Sequence, residues 1–159
     1  MGPGRQNARV SSFEDLEVWK RAAGLSAEIY RELQNLKDRG RIPSGGATMF
    51  GSFLAGKPRH EGRVLQYGFR DQITRSGLSI PSNIAEGFER KSHKEFVVFL
   101  NYARGSCGEL RTQVHIGREI GYISAAAGRA WLAETREISA MITALIKTTR
   151  GFIKEPPKP

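Results

Sequence analysis

The sequence predicts an all-α fold, an antiparallel up-down bundle of four helices with a long loop inserted between the first and the second. Three observations carry this. Phe96, Leu100, Ala103, Cys107, Leu110, Val114, Gly117 and Gly121 alternate steps of four and three without a miss, the spacing of a bundle seam. A run with helical spacing that ends at Arg90 is followed at once by Ser92-His93-Lys94-Glu95. That capping box opens the next helix, which must therefore run back antiparallel to its predecessor. No stretch alternates apolar and polar residues over a useful strand length.

Residues 1–10 are polar, basic and broken by Gly and Pro, so a disordered tail is expected there. The bundle is expected over 11–150. Ser11 followed by Glu14 has capping-box spacing and opens the first helix, which runs to about Lys37. That helix carries two apolar stripes, one through Leu16, Trp19, Ala23, Ser26, Tyr30 and Leu33, the other through Val18, Ala22, Leu25, Ile29 and Leu36. So wide a face can serve both a bundle core and a subunit contact. Residues 38–66 contain six glycines and two prolines and read as a long basic loop, with one apolar island at Met49, Phe50, Phe53 and Leu54. The second helix is expected over Tyr67–Arg90. Pro81 sits inside it, but Ile73, Ile80, Ile84 and Phe88 keep one stripe running past the proline, and residue 77, whose carbonyl the ring would press, is glycine. One kinked helix follows. Gly121 suits a left-handed helix stop, Ser124 caps the fourth helix, and Trp131, Ile138, Ile142 and Leu145, widened by Leu132, Met141 and Ile146, carry that helix to Arg150. The residues from Gly151 to 159, with three prolines, should fray into solvent.

Composition narrows the function classes. Lys and Arg number 25 against 16 Asp and Glu, a formal net charge of +9, which favours an anionic partner such as nucleic acid. A basic surface also serves solubility. The single cysteine, Cys107, excludes an internal disulfide and a multi-Cys zinc site, suits a reducing cytoplasm, and lies on an apolar stripe where core packing is expected rather than nucleophilic chemistry. No apolar run approaches the roughly 18 residues that a membrane span needs, so no membrane partner is expected.

Catalytic constellations are missing from the sequence. Gly51-Ser-Phe-Leu-Ala-Gly56-Lys57 matches the phosphate-loop form until its last position, where Pro58 replaces the magnesium-binding hydroxyl. His115 and Glu119 are spaced as two metal ligands, with no second pair to complete a site. No catalytic residue, metal or cofactor is expected. Two other patterns are informative. On the second helix Arg75, Ser79, Asn83, Glu86 and Arg90 form a polar row, matched on the third by Tyr102, Ser106, Glu109 and Gln113. Such rows either satisfy one another between helices or subunits, or line a groove for a ligand or RNA phosphate. Arg70, Arg75, Arg90, Lys91, Lys94, Arg104, Arg111 and Arg118 concentrate positive charge on these helices and their junction. Arg104, Arg111 and Arg118, seven apart, form a ridge about 20 Å long at roughly 1.5 Å per residue, able to follow a phosphate backbone or to keep a helix face soluble. With no sequence-reading motif present, binding should depend on shape and charge.

Phe13-Glu14-Asp15-Leu16-Glu17-Val18-Trp19-Lys20, Gln72-Ile73-Thr74-Arg75-Ser76, Ser79-Ile80-Pro81-Ser82-Asn83-Ile84-Ala85-Glu86-Gly87, and Phe99-Leu100-Asn101-Tyr102-Ala103-Arg104-Gly105-Ser106 with Glu109-Leu110 and Thr112-Gln113 together resemble the 23S rRNA intervening-sequence protein family. The likeness covers 13–37 and 67–150 and departs at 38–66, where members have a short connection. The resemblance implies a left-handed up-down four-helix bundle assembling as a ring-like homopentamer. It also implies kinship with accessory proteins of diversity-generating retroelements, which bind nucleic acid and a reverse transcriptase, and it implies no enzyme activity. The expected function is that of a non-enzymatic, cytoplasmic, homo-oligomeric protein binding RNA or a nucleic-acid-processing protein. Its binding residues would be Arg70, Arg90, Lys91, Lys94, Arg104, Arg111 and Arg118, and its polar seam or oligomer interface Arg75, Ser79, Asn83, Glu86, Ser106 and Glu109. The alternative is an oligomeric protein-interaction scaffold without nucleic-acid binding.

Overall fold

The computed structural model describes the backbone of residues 10–38 and 59–154 and the side chains of 10–35 and 68–153. Among these residues there are four α-helices, one short 3-10 turn and no strand: the turn spans Phe13–Asp15, α1 Glu17–Asp38, α2 Arg59–Glu89, α3 His93–Glu119 and α4 Ala125–Lys154. Three helix limits differ from the sequence expectation. The first capping box is Ser12 with Asp15, not Ser11 with Glu14, and it caps the 3-10 turn; α1 starts afterwards at Glu17. The Asp15 carboxylate accepts from the backbone N–H and hydroxyl of Ser11 and the N–H of Ser12, which holds its pKa below the ordinary aspartate value. The second difference is that α2 begins at Arg59, so residues 59–66 are helix and not loop. Finally, α4 continues past Gly151 to Lys154, because Ile153 still packs against the core. The expected terminal tails at 1–9 and 155–159, the remaining loop, its apolar island and the phosphate-loop-like segment lie outside the described residues.

One core runs through all four helices. The seam read on the third helix is buried from Phe96 to Gly117, and it meets Ile73, Ile80 and Ile84 of α2, Trp131, Ile138, Ile142 and Ile146 of α4, and Val18, Ala22, Leu25, Ile29 and Leu33 of α1. Of the two α1 stripes, the core thus takes Val18, Ala22, Leu25 and Ile29 of the second, plus Leu33 of the first. Trp19, Ala23 and Ser26 are half-buried, and Tyr30 is 52% exposed. Helix α1 packs against α2 and α4, and α3 packs against α2 and α4. Cys107 is fully buried, and burial pushes its thiol up to about 11 despite the nearby Arg111, so it is a packing residue.

The connections are short and chemically specific. At the α2–α3 turn Lys91 has φ +54°, the left-handed region where a Cβ is disfavoured. Ser92 accepts from the Glu95 N–H at 3.4 Å and starts α3. Lys91→Gly is expected to stabilise the fold by about 0.5–1 kcal/mol, the relief of left-handed strain exceeding the added chain entropy; thermal unfolding of the two proteins checks this. At the end of α3, Gly121 has φ +71°. The Tyr122 N–H donates to Gly117 O at 2.8 Å and the Gly121 N–H to Arg118 O at 3.1 Å, the paired bonds of a Schellman stop. Ser124 then accepts from the Ala127 N–H at 3.1 Å and opens α4.

Helices α1 and α4 are tied by a bidentate ion pair, Arg21 Nε to Glu134 Oε1 at 2.7 Å and Nη2 to Oε2 at 2.6 Å. The Arg21 hydrogen bond is the main reason that the Glu134 pKa lies below its ordinary value. A carboxylate with a lowered folded-state pKa stabilises the fold above its unfolded pKa, and that contribution is lost as pH falls through the folded one. With both side chains about one-third exposed, solvent screening limits the effect to about 1 kcal/mol or less. Glu134→Gln should lower stability at neutral pH and flatten the loss of stability below the ordinary glutamate range, as urea titrations at several pH values would read.

Candidate nucleic-acid interface

The polar row of α2 resolves into a seam that is smaller than its sequence pattern. Ser106 Oγ of α3 donates to Ser79 Oγ at 3.0 Å, and Asn83 Nδ2 donates to Ser79 Oγ at 2.9 Å and to Ser79 O at 2.8 Å. One turn along, the Ser76 hydroxyl bonds Gln113 Oε1. Ser76 has no place in the expected row, since only the pairing of α2 with α3 turns it toward Gln113. Arg75, Glu86 and Glu109 stay outside the seam: Arg75 pairs with Asp71 at 3.3 Å, Glu86 with Arg90 at 2.7 Å, and Glu109 is exposed. Hydroxyls and amides within this seam are satisfied by one another, so it fixes helix register.

Among the expected basic residues, local pairing separates two groups. Arg90 donates to Glu86, lies 3.6 Å from Glu95, and places its guanidinium 5.1 Å from the Phe99 ring centre, so its charge is matched at the α2–α3 turn. Lys91 and Lys94 beside it are exposed. Arg70 is half-buried near Tyr122, whose hydroxyl pKa is pushed up by burial and drawn back by that arginine.

Arg104, Arg111 and Arg118 all follow the flank of α3 that borders α4. Arg118 lies across the backbone of α4, so close to Gly128 that a Cβ there would sit 2.2 Å from its Cδ. Its Nε is shielded and has no hydrogen-bond partner among the described residues. At the other end, Arg104 shares a groove of about 410 Å³ with Thr143, Ile146, Lys147, Arg150 and Gly151 of α4. Those two contacts fix the register between the helices. They bring Arg129, Arg136 and Arg150 of α4, seven and fourteen residues apart and so on one line of the helix, alongside the ridge of α3. Arg129, Arg136, Lys147 and Arg150 are exposed. Two rows of cations therefore border one boundary of the bundle, at an interhelical spacing of about 8–10 Å.

Acidic residues are sparse on this flank. Residues 96–108 and 138–154 contain no Asp or Glu. Glu119 lies near the Arg118 end, so the field is strongest toward Arg104 and Arg150. The α4 cations escaped sequence reading because their role depends on register with α3, although the acid-free run 138–154 is a signal visible in the sequence.

A second concavity, about 800 Å³, lies between α1 and α2 and is walled by Phe13, Trp19, Tyr30, Leu78 and Pro81. It is formed by the α1 stripe left out of the core. Leu78 is 59% exposed, and the Phe13 ring packs edge-on against Trp19 at 5.1 Å. Among the described residues, no group of three or more His, Cys, Asp or Glu is gathered in a way that could hold a metal ion, and no helix is long and apolar enough to cross a membrane.

None of the curated proteins compared matches this chain. The family model described as 23S rRNA-intervening sequence protein matches residues 61–144, which take in most of α2, all of α3 and two-thirds of α4. With more than half of its length matched and the bundle seam inside the match, the chain belongs to the 23S rRNA-intervening sequence protein family.

Proposed function

We propose that this is a non-enzymatic, basic helical-bundle protein of the cytoplasm that forms a homo-oligomer and binds RNA or a ribonucleoprotein through arginine-rich surfaces. The observation that carries the reading is the pair of cation rows along the α3–α4 boundary, where Arg104, Lys147 and Arg150 line one groove. In this reading the bundle is an antiparallel, up-down, left-handed one. The cross-helix pairs Ser79 with Ser106, Ser76 with Gln113 and Arg118 with Gly128 support the antiparallel order.

The oligomer is a ring, with five copies as the family resemblance implies. A ring closes head-to-tail and needs two different surfaces on each copy. The apolar α1–α2 groove provides one, and the exposed Val98, Tyr102 and Ile116 of α3 provide the other. The same two patches support a second reading, an oligomeric scaffold for proteins in which the charge serves solubility alone.

Affinity capture of the tagged protein from a cell extract, with and without nuclease, separates these readings. Recovery of RNA, together with loss of co-captured proteins on nuclease treatment, is expected. A protein partner retained undiminished after nuclease, with no RNA recovered, would favour the scaffold.

A further inference from the structure

The double row of cations suits one form of nucleic acid better than another. A duplex presents two backbones across a wide, stiff cylinder, whereas the α3–α4 boundary offers one small groove with cations from both helices. Arg104 and Arg111 stand on one side and Arg129, Arg136, Lys147 and Arg150 on the other, while Arg118 lies across the boundary against Gly128. Where Arg104 faces Lys147 and Arg150, the boundary opens into the groove of about 410 Å³.

An aromatic platform stands beyond the end where the charge is strongest. Phe152 of α4 is 63% exposed and stacks on His93 of α3, ring centres 5.4 Å apart and planes 29° from parallel. His93 and Arg104 are eleven residues apart, three helical turns, so they share a face of α3. On α4, Gly151 lines the groove, and the next residue is Phe152. Phe152 contributes little to the core and spends an apolar ring on solvent, whereas Ile153 beside it packs inward. A groove lined by cations, with an exposed stacked ring near the same end of α3 and α4, is the combination by which single strands are held, phosphates by charge and a base by its π-face.

Building on the RNA-binding reading above, we propose that the α3–α4 boundary is a track for single-stranded nucleic acid, its phosphates held between Arg104, Lys147 and Arg150 and a base stacked on Phe152. Because stacking accepts any base, the track discriminates strandedness rather than sequence.

Fluorescence anisotropy of a labelled oligouridine, competed with the same oligonucleotide or with a fully paired RNA hairpin, tests the proposal. Arg104→Gln, Lys147→Gln, Arg150→Gln and Phe152→Ala are compared with Lys20→Gln, a control at an exposed position of α1 outside both grooves, each first shown by circular dichroism and thermal unfolding to fold as the parent does. Each charge removal in the track is expected to weaken binding and to reduce the slope of log K against log salt by about 0.7. Phe152→Ala should weaken binding about fivefold or more at unchanged salt slope, and Lys20→Gln should change neither. The single strand should compete better than the hairpin. Normal, salt-dependent binding by the parent with no loss in the Arg104, Lys147 and Arg150 variants would overturn the track while leaving RNA binding intact. Equal competition by the hairpin together with an unaffected Phe152→Ala would overturn the single-strand assignment. No binding by the parent itself would overturn the broader reading.

Discussion

Trp131→Ala is expected to lower unfolding stability by about 3–5 kcal/mol, the loss associated with truncating a fully buried tryptophan. Trp131 is 1% exposed, and its indole N–H donates to Glu28 Oε1 of α1 at 3.0 Å. It therefore fills the α1–α4 contact and fixes α1 in rotation at the same time. Removing the ring opens a cavity where α1 has its weakest packing, so the loss should fall first on α1. Trp131→Phe retains most of the apolar volume and loses the hydrogen bond, at a cost of about 1 kcal/mol for that bond plus the smaller ring. Urea denaturation followed by circular dichroism gives both values. A cost below about 1 kcal/mol for the alanine variant would mean that the ring is not part of the core.

Gly87→Ala should destabilise the fold, while Gly105→Ala should stabilise it, although both glycines lie inside helices. An alanine gains about 1 kcal/mol over glycine in a helix interior, and at Gly105 nothing lies within 4 Å of the added methyl group, so that gain is expressed. At Gly87 the methyl group would meet Phe99 Cβ at 2.6 Å and Phe96 Cδ2 at 3.1 Å. The Phe99 Cβ is fixed by the backbone of α3 and cannot swing away. Helices α2 and α3 must then separate near their turn, at an overpacking cost of about 1–3 kcal/mol that exceeds the propensity gain. Gly87→Val should be worse still. Opposite signs for the two alanine variants in thermal unfolding are the expected result; the same sign in both would contradict the close approach at Gly87.

The helices were legible because each carries its own evidence. A seam with steps of three and four marks α3, the serines at 92 and 124 stop or start helices by local hydrogen bonds, and Gly121 announces its left-handed turn. Features that depend on two elements at once were harder to read. Both α1 stripes are apolar, so spacing alone does not decide that Ile29 faces the core while Tyr30 borders a groove. Ser11 and Ser12 each have an acidic residue three positions on, and only the backbone turn selects Ser12. Gly151 resembles a stop, but the inward packing of Ile153 carries the helix through it. Within the candidate site, the α3 arginine ridge was visible from its sevens, whereas Lys147 and Arg150 join it through the α3–α4 register. Arg90 looked like one more free cation until Glu86, Glu95 and Phe99 closed around it.

The most direct test of the central claim is the affinity of the purified protein for RNA measured across a range of salt concentrations. If the arginine-rich surfaces neutralise phosphates, binding should be readily detected at low ionic strength, and log K should fall linearly with log salt, with a slope near 0.7 for each phosphate contacted in a single strand. Undetectable affinity at low salt, or affinity indifferent to salt, would contradict it.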